Sequence, residues 1–395
     1  MLSRVRLVKE KKMKTPADFN FNKKTVLIRC DFNVSIDHEG KPLDDLRIRE
    51  SVPTIEKVIN DGGRAVIISH AGEKKSLKEI VPFLEKTFSK KIIFIKELGD
   101  LMEKAIRRSD YGDILLLENL RLFEGETVNS NFFAGELALL ADFYINEAFS
   151  VSHRKHASMV ALPSILPSCA GFRLTREVAV LSKVRDNPWH PMVTIIGGAK
   201  VASKIRVVKS FLKNSDHLLL GGKVANEILV VKGICHNRPW PDEETVNEIK
   251  NVEITSPKIH LPVDLVVSPY SCDNCVRIDS PADLKSDEGI YDIGPETIKI
   301  FTKIISEAKM MIWAGPLGLF EDKRYERGTR EIAKAMALNH RAFKVVGGGD
   351  TGIAINKFNV KDSIDHISTG GGAMLEFMAG TELPGLRALG YYGKD

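Results

Sequence analysis

The 395-residue sequence is short of several features, and each shortage excludes something. No apolar run approaches the roughly 18 residues that a membrane-spanning helix takes, so no bilayer span is expected. The basic first residues are not followed by an apolar stretch, which argues against a secretory leader. Only five cysteines occur, too few for a disulfide framework, and the odd count suits a reducing cytoplasm. Cys272 and Cys275 form one CxxC, but no second ligand pair follows at zinc-site spacing. A loop with two free thiols is therefore expected there, ahead of a zinc or redox role. The Walker pattern is also missing, since Gly222-Lys223 has His217 where its first glycine belongs and Val224 where Ser or Thr belongs. No Ser/His/Asp or Cys/His order, internal repeat or low-complexity tract stands out.

The composition, 43% hydrophobic and 28% charged, excludes a disordered or fibrous chain, and the length suits two domains. Lys and Arg number 57 against 52 Asp and Glu, a formal charge of +5. Six basic residues and one acid lie in the first 14 positions, and the rest of the chain carries 51 of each sign. A cationic field suited to nucleic acid is not indicated, so anion binding must come from local clusters.

Short β-branched runs alternate with helical patterns, which predicts parallel sheets with crossover helices. Strands are expected at 25–29, 65–69, 92–95, 114–117 and 143–146, then at 193–196, 218–220, 263–267, 310–313, 343–346 and 364–367. Between the two series, 174–187 reads as a helix ended by Asn187 and Pro188 and is the candidate interdomain connector. The polar stretch 235–258 reads as a surface excursion.

Parallel sheets bind ligands beyond the carboxyl ends of their strands. In the first half those ends carry Arg29, Asp31 and Asn33, then His70, then Arg121, then His153, Arg154 and His156. In the second half they carry glycines: Gly197-Gly198, Gly221-Gly222, Gly315 with Gly318, Gly347 to Gly349, and Gly370 to Gly372. Of the 30 glycines, 21 lie beyond residue 186, so the asymmetry belongs to the halves. Clustered Arg and His grip a small, multiply anionic molecule by charge-assisted hydrogen bonds. Glycine lets backbone amides approach a phosphate, and a helix beginning there adds its positive end. Two ligands on two domains suggest transfer between them.

Within Val193–Ile205, Lys200 and Lys204 stand four apart near a helix start. Cations there oppose the helix dipole unless an anion is held, so phosphoryl contacts are favoured over a solvated pair. Phe343–Gly352 fits GxGxxG by spacing, the pattern of a nicotinamide dehydrogenase. Asp350 inside that loop would repel a bare pyrophosphate, and a Mg²⁺ partner explains it better. The stretch Trp313–Glu321 suits an adenosine wall, with Glu321 on ribose hydroxyls, while spacing alone suits a surface glutamate nearly as well. Phosphoryl transfer asks the protein for positioning and charge neutralisation rather than a nucleophile, so the lack of one favours a kinase.

Taken together, these segments resemble phosphoglycerate kinase from about Met13 to Gly390. The motifs, in family order, include Arg29-Cys-Asp-Phe-Asn-Val34, Arg47-Ile48, Ser69-His70, Glu118-Asn-Leu-Arg121, His153-Arg-Lys-His156 and Gly197-Gly-Ala-Lys200 with Lys204. They continue through Asp292-Ile-Gly-Pro295, Trp313 to Glu321, Gly347-Gly-Gly-Asp-Thr351, Ser368-Thr-Gly-Gly-Gly372 and Leu383-Pro-Gly385.

The resemblance implies an α/β protein of two Rossmann-like parallel-sheet domains joined by a hinge helix. It places a phosphoglycerate-binding domain at 1–173, with 1–12 an extension and Met13 a candidate start, and the hinge at 174–187. A nucleotide-binding domain follows at 188–383, and 384–395 returns to the first domain. Arg29, Asp31, Asn33, Arg47, His70, Arg121 and Arg154 would bind the phosphoglycerate. The nucleotide would meet Gly198, Lys200, Lys204, Gly221, Gly222, Pro316, Gly318, Glu321, Gly349, Asp350, Thr351, Gly371 and Gly372. Asp350 would also hold Mg²⁺, while Arg47, Lys200 and Lys204 would carry catalysis. The implied reaction is reversible, direct in-line transfer between 1,3-bisphosphoglycerate and ADP on hinge closure, giving 3-phosphoglycerate and ATP. The implied protein is a cytoplasmic, glycolytic monomer with small-molecule substrates and neither nucleic-acid nor membrane partners.

Some positions depart from the family pattern. Glu73-Lys74 stands where the family continues with Arg-Pro, so one phosphate-binding arginine is exchanged for a carboxylate. Lys223 replaces a common third glycine, Ala314 a common Asn and Ser203 a common Asp. Glu73, Lys223 and Ala314 motivate one alternative, a divergent paralogue that binds its ligands with little catalysis; Arg47, Lys200, Lys204 and Asp350 argue against it.

Overall fold

The computed structural model describes residues 13–37, 40–72, 75–139, 141–235, 240–272 and 275–393. The N-terminal extension and the Glu73-Lys74 departure lie outside the described residues. By contacts the chain divides into two units, Met1–Ala179 with Glu382–Asp395, and Val180–Thr381. The division falls inside the helix Phe172–Asp186, where 174–187 was expected to be helical.

The first unit is built on six strands: β1 (Thr25–Arg29), β2 (Arg64–Ile68), β3 (Ile92–Ile95), β4 (Ile114–Leu117), β5 (Phe143–Asn146) and β6 (Ser168–Ala170). They run in the order β3-β4-β2-β1-β5-β6 with every pairing parallel. All five residues of β1 are buried, as expected for a central strand covered on both faces. Val26 and Ile28 join one apolar core, and Leu27 joins another. The short strand β6 escapes the sequence pattern because only three residues, Ser-Cys-Ala, make it.

The second unit holds β7 (Met192–Ile196), β8 (His217–Leu220), β9 (Ile259–His260), β10 (Leu265–Pro269), β11 (Arg277–Asp279), β12 (Glu288–Ile293), β13 (Met310–Ala314), β14 (Phe343–Gly347) and β15 (His366–Ser368). Six of these form a second parallel sheet, β15-β14-β13-β7-β8-β9. Val193, Ile195 and Trp313 pack in its core. Each six-stranded sheet has its first strand flanked by strands from opposite directions of winding, β2 and β5 beside β1, β8 and β13 beside β7. These are the switch points at which α/β sheets open a crevice. Arg29 ends β1, and Gly197 follows β7.

Three sequence expectations need correction. The run at 263–267 does not belong to the parallel series. As β10 it is the central strand of a separate three-stranded sheet, β11-β10-β12, pairing antiparallel with both neighbours, because β11 follows closely enough in sequence to return as a hairpin and β12 then adds on the other edge of β10. Cys272 and Cys275 are disulfide-bonded rather than free thiols. The turn after β10, in which Cys272 N–H donates to Pro269 O, brings their Cα atoms to 5.6 Å, within disulfide range. The stretch 235–258 is not merely an excursion. It contains the helix Glu243–Lys250, capped by Asp242, with Val246 and Ile249 buried. Arg206 on the helix Val201–Asn214 donates to Glu248 at 3.0 Å, which ties the segment down.

Glu147, just beyond β5, anchors the start of the helix Phe172–Asp186. Its Oε1 accepts from Arg173 N at 3.0 Å and Thr54 Oγ1 at 2.8 Å, and Thr54 Oγ1 accepts from Phe172 N at 3.0 Å. Burial pushes the Glu147 carboxyl up to about 8, against these hydrogen bonds. Arg173 adds ion pairs to Glu50 and Glu177. The helix Leu46–Asn60, which bears Arg47, Glu50 and Thr54, is thereby tied to the beginning of Phe172–Asp186.

Candidate functional site

In the first unit, the strand ends gather cations around Asp31. Arg47 NH1 reaches Asp31 Oδ2 at 2.9 Å and donates to Asn33 O at 2.9 Å. Asp31 also accepts from Ser150 Oγ and, at 3.0 Å, from Asn33 N. Burial works to raise the Asp31 carboxyl, but Arg47, His70 and these hydrogen bonds hold it below the usual range. Asn33 in turn accepts from Gly72 N at 2.9 Å, fixing the turn after His70.

Arg29 is buried. Its Nε donates to Ser158 Oγ at 2.9 Å, and its NH2 lies 3.3 Å from His70 Nδ1 and 3.9 Å from Glu126 Oε1. Since a guanidinium only donates, His70 Nδ1 accepts, which leaves Nε2–H as the donor of the ring. Burial drives His70 down to about 3; Asp31 opposes this, while Arg29, Arg121 and Arg47 add to it. His70 is therefore a neutral donor at ordinary pH.

Arg121 is lowered first by burial, then by Arg29 and Arg154. Its loop is braced by Asn119, whose Nδ2 donates at 2.8 Å to both Ala71 O and Lys75 O. Arg154 stands exposed, and His156 is lowered by burial and by Arg29, Arg121 and Arg154, against Glu126. Arginines that lower Arg121, His70 and His156 make a place where an added polyanion relieves repulsion. Ser150, Ser158 and Glu126 support this cluster; single serines and one buried carboxylate leave no sequence signal.

In the second unit, the loops after β7, β8 and β13 are knitted together by backbone. Gly197 N–H donates to Ala314 O, Gly198 N–H to Pro316 O and Gly222 N–H to Leu317 O. There is no room for side chains. A Cβ on Gly222, whose φ is +55°, would stand 2.7 Å from Gly198 N, and one on Gly315, at φ +98°, would stand 2.6 Å from Lys204 Nζ. Gly221 is likewise closed in by Leu317. Lys204 Nζ is folded into this cradle and donates to Gly197 O. Burial brings it down to about 8; Asp350 opposes the shift and Lys200 adds to it. Lys200 itself is exposed, in the left-handed conformation at the N-cap of Val201–Asn214.

The loops after β14 and β15 open the helices Gly349–Lys357 and Gly371–Met378. A Cβ on Gly371 would lie 2.7 Å from Gly348 Cα, so these two loops also touch, with Gly372 following. Asp350 is exposed in the first turn of its helix. The Thr351 hydroxyl is buried and committed, accepting from Gly315 N at 2.8 Å and donating to Gly347 O at 3.1 Å. What Thr351 offers a ligand is its backbone amide.

A cleft of about 590 Å³ joins Gly198, Gly222, Pro316, Gly318, Glu321 and Asp350. Its remaining wall includes Lys223, Glu227, Trp240, Tyr270, Tyr291 and Asp292, of which only Asp292 and Lys223 stood in sequence motifs. Tyr291 stacks on buried Tyr325 with ring centroids 4.5 Å apart. Asp292 Oδ2 accepts from Gly328 N at 2.6 Å, while burial raises its carboxyl to about 7.

An arginine cluster at one switch point and a glycine cradle with a buried lysine at the other define a small-molecule phosphotransferase. The comparisons with known proteins name which one. The family model of phosphoglycerate kinase matches residues 17–381. A phosphoglycerate kinase of Desulforapulum autotrophicum is 39% identical over 391 residues, covering 95% of this chain and 100% of its own. That of Thermomicrobium roseum is 36% identical, covering 95% and 99%. Among solved structures, phosphoglycerate kinase from Pyrococcus horikoshii matches with a TM-score of 0.83 at 30% identity, covering 95% of this chain and 98% of that one. The enzyme from Coxiella burnetii matches at 0.79 and 32%, covering 97% and 100%. The chain belongs to the phosphoglycerate kinase family. Neither the dehydrogenase nor the non-catalytic alternative finds support.

Proposed function

We propose that the chain catalyses reversible phosphoryl transfer between 1,3-bisphosphoglycerate and ADP, giving 3-phosphoglycerate and ATP, a step of glycolysis. The observation that carries this reading is the contrast between two anion sites, one of arginines and one of glycines, within a member of this family. Arg29, Asp31, Asn33, Arg47, His70, Arg121 and Arg154 serve the phosphoglycerate. Arg29 acts mainly by orienting His70, and Asp31 by aiming Arg47. The backbone at Gly198, Gly221, Gly222, Pro316, Gly318, Gly349, Thr351, Gly371 and Gly372 receives the nucleotide, with Lys200 on its phosphates and Glu321 on its ribose. Residues 1–173 form the phosphoglycerate domain, completed by 384–395, and 188–383 form the nucleotide domain.

Asp350 suits a Mg²⁺ that arrives with the nucleotide, because Mg²⁺ at such sites takes one or two carboxylates and fills its shell with phosphate oxygens and water. Among the described residues no cluster of three His, Cys, Asp or Glu is present to cage a metal. When bound, the ion would neutralise phosphate charge. Lys204, kept dry and close to Gly197 O, supplies positive charge to the group in flight, and Arg47 supplies it from the phosphoglycerate side. Transfer asks for reacting atoms at roughly 3 Å and for exclusion of water. The helix Phe172–Asp186 is the hinge that permits it. The direct route forms no phosphoenzyme. No helix among the described residues is long and apolar enough to cross a membrane. A cytoplasmic monomer without nucleic-acid partners completes the proposal.

The test is conversion of 3-phosphoglycerate to the acyl phosphate by purified protein and Mg-ATP, trapped with hydroxylamine. Hydroxamate formation supports the proposal. Its absence, with both ligands bound, contradicts it.

A further inference from the structure

The nucleotide cleft has a feature that the phosphate machinery does not use. Lys223 and Glu227 stand one helical turn apart on Gly222–Val231, and Lys223 Nζ lies 3.3 Å from Glu227 Oε1. Both line the same cleft as Gly198 and Asp350. The Glu227 side chain is only 13% exposed, and burial raises its carboxyl against the pull of Lys223. An i,i+4 pair is worth little by itself, and Lys223 is 63% exposed, but Glu227 is turned into the cleft and the Lys223 ammonium stands at its rim. Glu227 is five residues beyond Gly222, so it stands about 7.5 Å further along the helix axis. That offset matches the reach of a nucleoside from its phosphates to its base. Two large aromatic rings, Trp240 and Tyr270, line the same cleft while 61% and 57% exposed, a surface on which a base plane can lie.

We propose that Glu227 and Lys223 read the Watson–Crick edge of a purine and set this chain's preference between guanine and adenine nucleotides. The inference rests on the nucleotide site proposed above. Guanine offers N1–H and N2–H donors to the carboxylate and O6 to the ammonium. Adenine offers one amino donor to the carboxylate and N1 to the ammonium. Guanine therefore forms the fuller set, and removal of the carboxylate weakens it more. A pyrimidine is too short to reach the pair while its phosphates stay in the glycine cradle.

Calorimetric titration of the full-length chain with Mg-ADP, Mg-GDP, Mg-IDP and Mg-CDP tests this. The unaltered protein is expected to bind GDP within threefold of ADP or more tightly, IDP more weakly than GDP because it lacks the 2-amino group, and CDP at least tenfold more weakly. Glu227→Ala is expected to weaken GDP at least tenfold and ADP less, so that the ratio of the two moves by threefold or more. Lys223→Met moves it in the same direction through O6. Far-UV circular dichroism matching the parent establishes that both variants are folded. Nucleotide binding with an unchanged GDP-to-ADP ratio in both variants overturns base reading and leaves the phosphate site standing. Failure of the unaltered protein to bind any of the four overturns the nucleotide site and this inference with it.

Discussion

Under the proposed function, the two units solve one problem, holding phosphate, by opposite means. In the first, the anion is met by side chains: Arg29, Arg47 and Arg121 crowd around a neutral His70, Arg154 stands by Arg121, and Asp31 and Glu126 offset them. In the second, it is met mainly by backbone, in loops so close that a Cβ at Gly222 or Gly315 would collide with Gly198 or Lys204. Side-chain cations give strength and long reach and suffer when the ligand is absent, because each depresses its neighbours. A backbone cradle gives shape and costs little repulsion, but it leaves no room for a side chain at Gly221, Gly222 or Gly315. Lys204 is the exception within the cradle, and its placement there makes it the member most sensitive to its surroundings.

The largest way to break this contrast is at that residue. Lys204→Ala is expected to lower kcat about 10²–10³-fold, since a preorganised charge at the transferring group is lost. Single-turnover rates with saturating ligands read it. A loss confined to KM would place Lys204 on ground-state binding only.

A smaller effect follows from its protonation. With Lys204 at about 8 in the free protein, an anionic nucleotide favours the charged form and raises that value. Mg-ADP binding should then take up protons above about pH 8, and affinity should fall by up to about tenfold per pH unit. Calorimetry in buffers of different ionisation enthalpy measures the uptake. Proton release on binding would give the opposite sign and exclude a charged Lys204 in the complex.

Smaller still is the effect of salt. Raising ionic strength from 50 to 300 mM should weaken 3-phosphoglycerate by about threefold or more and Mg-ADP by less, because the arginine site depends more on net charge. Equal slopes for both ligands would remove that distinction.

Much of this was legible in the sequence. The central strands β1, β7 and β13 announce themselves as apolar runs, and the residues that follow them lie at switch points. Chemistry concentrated at strand ends could therefore be read without coordinates. The antiparallel sheet β11-β10-β12 was not legible, because a five-residue apolar run does not say whether its partners are parallel or antiparallel. The Cys272–Cys275 disulfide was missed for the same reason, since the two cysteines lie in the connection between β10 and its antiparallel partner β11. Thr351 looked like a ligand group by motif, and only its hydrogen bonds show the hydroxyl spent on Gly315 and Gly347. The wall of the cleft formed by Glu227, Trp240 and Tyr270 escaped because they come from three separated segments.

The central claim is that the two anion sites are chemically independent, one made of side chains and the other of backbone. Calorimetric titration of 3-phosphoglycerate and Mg-ADP against Arg121→Ala and Gly222→Ala tests it most directly. Each substitution is expected to weaken its own ligand by about ten- to a hundredfold, through a lost charged hydrogen bond or a filled cradle. The other ligand should bind within about twofold of the parent protein. Equal weakening of both ligands by either variant would contradict the account.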